Sequence, residues 1–82
     1  MSGEYLIKAW DAHLPARQKL VFITLGDWAD WDGRFDTDIN RLSVQCGMSA
    51  AKTNRRIIRL VDKGFVRLQE GSDYVQLSGT IL

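Results

Sequence analysis

Ile39-Asn-Arg-Leu-Ser-Val-Gln-Cys-Gly-Met-Ser-Ala-Ala-Lys-Thr-Asn-Arg-Arg-Ile-Ile-Arg-Leu-Val-Asp-Lys-Gly-Phe65 is the stretch that decides the fold. It reads as two helices hinged at Gly47-Met48-Ser49. Gly47 supplies the permissive backbone that a sharp turn needs. Ser49 is placed to cap the second helix, and Met48 before it to staple the turn to the core. Gly64 closes that helix at the left-handed position. A short helix, a glycine turn and a capped second helix make the helix-turn-helix pattern.

On a helix turning about 100° per residue, Thr53, Ile57, Leu60 and Gly64 share one stripe, which is expected to face the core. The far side holds Ala51, Lys52, Arg55 and Arg59, with Asn54 and Arg56 on opposite edges. Cations on one face of a helix whose N-terminus is itself positive suit a phosphate. Arginine and lysine also pair with guanine O6 and N7 in the major groove, and asparagine with adenine N6 and N7. Arg55 and Asn54 are therefore the candidates for base edges, with Lys52 next. Arg56, Arg59 and Arg41 are candidates for phosphates, which fix register without reading sequence. The Ser49 hydroxyl caps the helix and is a further phosphate candidate. Ile58 points part way toward the exposed side and is expected to pack on the lead-in segment or on a second subunit.

The distribution of charge supports a polyanionic partner better than its total does. The 82 residues carry a formal net charge of +1. Residues 1–33 balance to −2. Residues 34–67 carry Arg34, Arg41, Lys52, Arg55, Arg56, Arg59, Lys63 and Arg67 against Asp36, Asp38 and Asp62, giving +5. Residues 68–82 add Glu70 and Asp73. No acid occurs between Asp38 and Asp62. Clustering of this kind on one element is the electrostatic footprint of nucleic-acid binding.

Outward from the central stretch, the chain is built as one small domain. At 45% apolar and 26% charged residues it is globular rather than disordered. Residues 1–14 form an amphipathic lead-in, helical or extended. Pro15 suits a first helical turn, and a helix over 15–31 follows with only Gly26 as a breaker. It is apolar over more than half its circumference through Leu20, Val21, Ile23, Thr24, Leu25 and Trp28, as expected of the most buried helix. Asp32-Gly33 marks a turn, and Arg34-Phe35 allows a minimal strand. Asp36-Thr37-Asp38 offers an N-cap for the first helix of the motif, which spans 37–63 with its partner. Phe65-Val-Arg-Leu-Gln69 and Tyr74-Val-Gln-Leu77 alternate apolar with polar around Glu70-Gly-Ser-Asp73, predicting a β-hairpin over 65–78. The expected class is α+β, mainly α, with a three-helix core and a C-terminal β-hairpin: a winged helix.

These residues resemble the winged helix-turn-helix domain at the N-terminus of phage- and plasmid-type replication initiators and related phage-encoded regulators. The resemblance runs from about Trp10 to Val66. It is carried by Lys19-Leu-Val-Phe-Ile-Thr-Leu-Gly-Asp-Trp-Ala-Asp30, Asp32-Gly-Arg-Phe35, Ile39-Asn-Arg-Leu42, Gly47-Met-Ser49 and Arg55-Arg-Ile-Ile-Arg-Leu-Val-Asp-Lys-Gly-Phe65. It implies sequence-specific binding of double-stranded DNA by the second motif helix, with contacts from Ser49, Lys52, Asn54, Arg55 and Arg56. It also implies a hairpin gripping the flanking backbone, and a role in replication initiation or transcription regulation. The chain departs from the pattern at Ala50-Ala51, where a basic or hydroxyl residue is usual, and at the acidic Glu70-Gly-Ser-Asp73 turn. It reads as an isolated domain or a small stand-alone regulator, with a homodimer or other replication and transcription proteins as further partners.

Other chemistries find little support. His13 has no nucleophile beside it, and aligning Gly33 with the glycine of a calcium loop puts Trp28 and Ile39 at ligand positions, which excludes an EF-hand. No catalysis, metal or cofactor is expected. Trp10, Trp28 and Trp31 are expected in core or lead-in packing, away from the basic face. Cys46, alone in the chain, is expected to be a small buried hydrophobe, and points to a reducing, cytoplasmic setting. No apolar run approaches the roughly 20 residues of a membrane span, and no signal-peptide pattern opens the chain. The alternative function is a protein-interaction winged helix whose basic helix docks on an acidic protein partner without binding DNA. An architectural DNA-binding role with little sequence preference is a third.

Overall fold

In the computed structural model, which describes residues 3–73 and 75–82, four helices pack together with a three-stranded antiparallel sheet. The elements are α1 (Gly3–Asp11), α2 (Ala16–Trp28), β1 (Arg34–Asp38), α3 (Ile39–Cys46), α4 (Ala50–Asp62), β2 (Val66–Leu68) and β3 (Gln76–Ile81). The class is α+β and mainly helical. The expected hairpin residue Tyr74, and lead-in residues 1 and 2, lie outside the described residues.

Each boundary has a local chemical cause. Asp38 ends β1 and caps α3, its Oδ1 accepting from the Arg41 N–H at 2.7 Å. At the other end of α3, Gly47 sits at φ 66°. There the Gly47 and Met48 N–H groups donate to the Val44 and Ser43 carbonyls at 3.2 and 3.0 Å, which satisfies the last turn. The same device closes α4: Gly64, at φ 82°, lets the Gly64 and Phe65 N–H groups reach the Val61 and Leu60 carbonyls. The chain therefore turns sharply twice and delivers β2 directly from α4.

The core lies where α2, α3 and α4 meet the inner face of the sheet. Val21, Phe22 and Leu25 of α2, Leu42 of α3, and Ile57 and Leu60 of α4 are sealed from solvent with Val66, Leu77 and Ile81 of the sheet. Phe22 and Phe65 stack at a tilt, with ring centroids 5.4 Å apart. Burying each large apolar side chain contributes about 1.5–3 kcal/mol, so this cluster dominates stability. Cys46 is buried beside it, its Sγ 3.5 Å from the Thr24 hydroxyl, and burial pushes the thiol pKa up.

Of the two conformations open to the lead-in, the structure adopts the helix, and its Ala9 packs into the core. Gly26 is the reason it fits: a Cβ there would lie 2.8 Å from the Tyr5 carbonyl oxygen, so only glycine lets α1 cross α2 this closely. Elsewhere the structure departs from the sequence expectations in three places. The long helix ends at Trp28 rather than Trp31, because Asp30 is drawn into a turn by accepting from the Asp32 and Arg34 N–H groups. The sheet is larger than a hairpin: β1 spans five residues, and β3 lies between it and β2, pairing antiparallel with both. Trp31 and Trp10 are not core residues, being 82% and 64% exposed. No helix among the described residues is long and apolar enough to cross a membrane.

Candidate nucleic-acid interface

α4 starts cleanly because Ser49 Oγ accepts from the Lys52 N–H at 3.2 Å. Thr53, fully buried, ties the same end down by donating its hydroxyl to the Ser49 carbonyl at 2.9 Å. Three of the four residues of the predicted inner stripe, Thr53, Ile57 and Leu60, are the buried residues of the helix, while Gly64 lies past its end and is exposed. Its rotation about its axis is thereby fixed, and Lys52, Arg55 and Arg59 are left exposed. The cations stand clear of the folded body.

The remaining candidates divide. Asn54 is half-buried on the edge of the helix. Arg56 is also half-buried, and its Nε is shut away from solvent with no hydrogen-bond partner among the described residues. Burial of that nitrogen makes Arg56 partly a packing residue. Arg41 is exposed on α3, but its guanidinium lies 4.5 Å from the centre of the Trp28 ring, a cation–π contact at the C-terminal end of α2. The Ser49 hydroxyl accepts in its cap, leaving its own hydrogen free to donate outward.

One contributor was invisible in the sequence. Arg17, in the first turn of α2, lines a cleft of about 270 Å³ with Ser49, Lys52 and the Gly47-Met48 turn. The N-terminus of α2 carries no side-chain cap, because Pro15 occupies the capping position. Two cations thus flank the start of α4, whose dipole is positive at that end, an arrangement that favours an anion. Arg41 does not belong to this grouping. Trp28, on which it stacks, lies 11 residues after Arg17 on the same helix, a separation on the order of 16 Å. Lys63 is also excluded: its Nζ donates to Gln18 Oε1 at 2.7 Å, latching the last turn of α4 to the first turn of α2.

The acidic turn after β2 has a structural explanation. Asp73 Oδ1 accepts from the Val75 and Gln76 N–H groups, each at 2.8 Å, and these bonds hold its carboxyl below the usual range. The acid shapes the turn. Among the described residues, no group of three histidine, cysteine or acidic side chains converges as metal ligands do. Compared with known protein families, characterised proteins and solved structures, the chain matches none.

Proposed function

We propose that this chain is a winged helix-turn-helix protein that binds double-stranded DNA by laying α4 in the major groove. What carries the proposal is the exposure of Lys52, Arg55 and Arg59 on one face of a helix whose opposite face is locked into the core. The Arg17–Lys52 cleft at its start adds a second line of support. In this mechanism Arg55 and Asn54 meet base edges, while Lys52, Arg59 and Arg17 hold phosphates and the Ser49 hydroxyl donates to another. Release of counterions from the phosphates dominates the affinity. Replication initiation or transcription control by a cytoplasmic protein of phage or prophage type is the biological setting that the resemblance suggests.

The competing proposal, a basic helix docking on an acidic protein, draws on the small, uncharged Ala50-Ala51 at the helix start. Duplex binding by the wild-type chain and by Arg55→Ala separates the two. The variant should bind about 1–3 kcal/mol more weakly and lose preference at one base pair. Absence of wild-type binding to duplex DNA even at low salt would remove the DNA-binding proposal.

A further inference from the structure

α4 presents two apolar side chains on the face otherwise given to cations. Ala51 is exposed, and Ile58 is 46% exposed although it is a large aliphatic residue in the middle of a helix. They are seven residues apart, which returns them to nearly the same angular position, within about 20° on a helix of 3.6 residues per turn. Arg55 lies between them along the axis. The outward line of α4 is therefore small apolar, cationic, large apolar.

The lead-in does not cover Ile58: α1 packs on α2, and the apolar residues gathered around the core do not include Ile58. A major groove offers such a residue one apolar partner, the C5-methyl group of thymine, which cytosine lacks. An alanine methyl and a branched aliphatic chain are both suited to that contact.

We infer that α4 is a thymine-methyl reader, with Ile58 and Ala51 as specificity-determining residues on either side of Arg55. This rests on the DNA-binding proposal above and names the class of duplex it prefers. At about 1.5 Å rise per residue, Ala51 and Ile58 are separated by on the order of 10 Å, or about three base-pair steps of 3.4 Å. The preferred site is thus a guanine, met by Arg55, between two thymines about three base pairs apart. The Ala50-Ala51 start fits this scheme: short side chains let the helix backbone approach the bases closely, which brings the methyl groups within contact distance.

The test begins with selection of bound duplexes from a random pool by the wild-type chain. Each thymine of the enriched site is then replaced by deoxyuridine, which removes only the methyl. Wild-type affinity should fall about fourfold at each of two positions, the loss expected for one buried carbon. Ile58→Ala should be insensitive to deoxyuridine at one of those positions and keep its sensitivity at the other, while Ile58→Val should be intermediate. Because Ile58 is exposed, both variants should melt like the wild type, which a thermal scan verifies. If the wild type binds its selected duplex equally well with every thymine replaced, or enriches no thymine at all, the methyl-reading inference is overturned and DNA binding stands. If the wild type captures no duplex from the pool at low salt, the underlying DNA-binding proposal fails and this inference fails with it.

Discussion

Replacing Arg17 by alanine tests whether the fold has brought a distant cation to the start of α4. Arg17 is 35 residues from Lys52 in sequence, yet both line the cleft at the Gly47-Met48-Ser49 turn. If Arg17, Lys52 and Arg59 each neutralise one phosphate, the affinity for duplex DNA falls with salt at a log–log slope of about −2.7. Raising salt from about 50 to about 200 mM then weakens wild-type binding roughly 40-fold. Arg17→Ala should reduce the slope to about −1.8 and the same change in salt to a roughly 12-fold loss. Fluorescence anisotropy with a labelled duplex, repeated across a salt series, measures both. Arg34→Ala is the control: it removes an equal charge from an exposed position of β1, on the sheet, and should leave the slope at its wild-type value. A slope unchanged by Arg17→Ala, or reduced equally by Arg34→Ala, would refute the cleft as a phosphate site and leave only diffuse attraction.

Three further expectations concern the framework. Gly26→Ala forces a methyl into the space of the Tyr5 carbonyl and should destabilise the domain by about 1–3 kcal/mol, read from denaturant midpoints; an unchanged midpoint would show that α1 shifts freely. Ser49→Ala removes the α4 cap and should lower stability by about 1 kcal/mol, without moving the midpoint of a variant whose helix start is already disrupted. Asp30 and Asp73 both titrate below their ordinary value because backbone N–H groups bond their carboxylates. Their contribution is present above the ordinary aspartate pKa and is lost as pH falls through the depressed values. Stability measured between about pH 5 and about pH 2 should therefore drop, less steeply in the double variant Asp30→Asn, Asp73→Asn.

Much of this architecture is legible residue by residue, because its boundaries are set locally. Asp38, Gly47, Ser49 and Gly64 act through partners within five residues, so sequence spacing alone locates them. The inner stripe of α4 follows from helical period in the same way. What the sequence hid depends on contacts between distant segments. Nothing near Arg34-Phe35 announces a five-residue strand; it exists because β3 supplies a partner for it 38 to 46 residues later. Packing of α2 on α4 likewise brings Arg17 into the cleft beside Lys52 and ties Lys63 to Gln18, contacts that no local sequence pattern announces. Trp28 packs against the core as its helical position implies, with Arg41 over its ring. Trp10 misled for a related reason: it pairs with Lys19 at the surface, and a ring face that attracts a cation needs no place in the interior.

The position of β3 also dictates the order in which the molecule can assemble. Residues 76–81 leave a ribosome after both strands they pair with, and until they emerge β1 and β2 have no neighbour to bond. Each helix, built from near contacts, can form early, whereas β1 must await closure of a long loop before it is paired, which slows completion of the sheet. Nascent chains should thus pass through a helical stage with two unsatisfied strand edges, and shortening the chain by its final strand should trap them there, prone to aggregation.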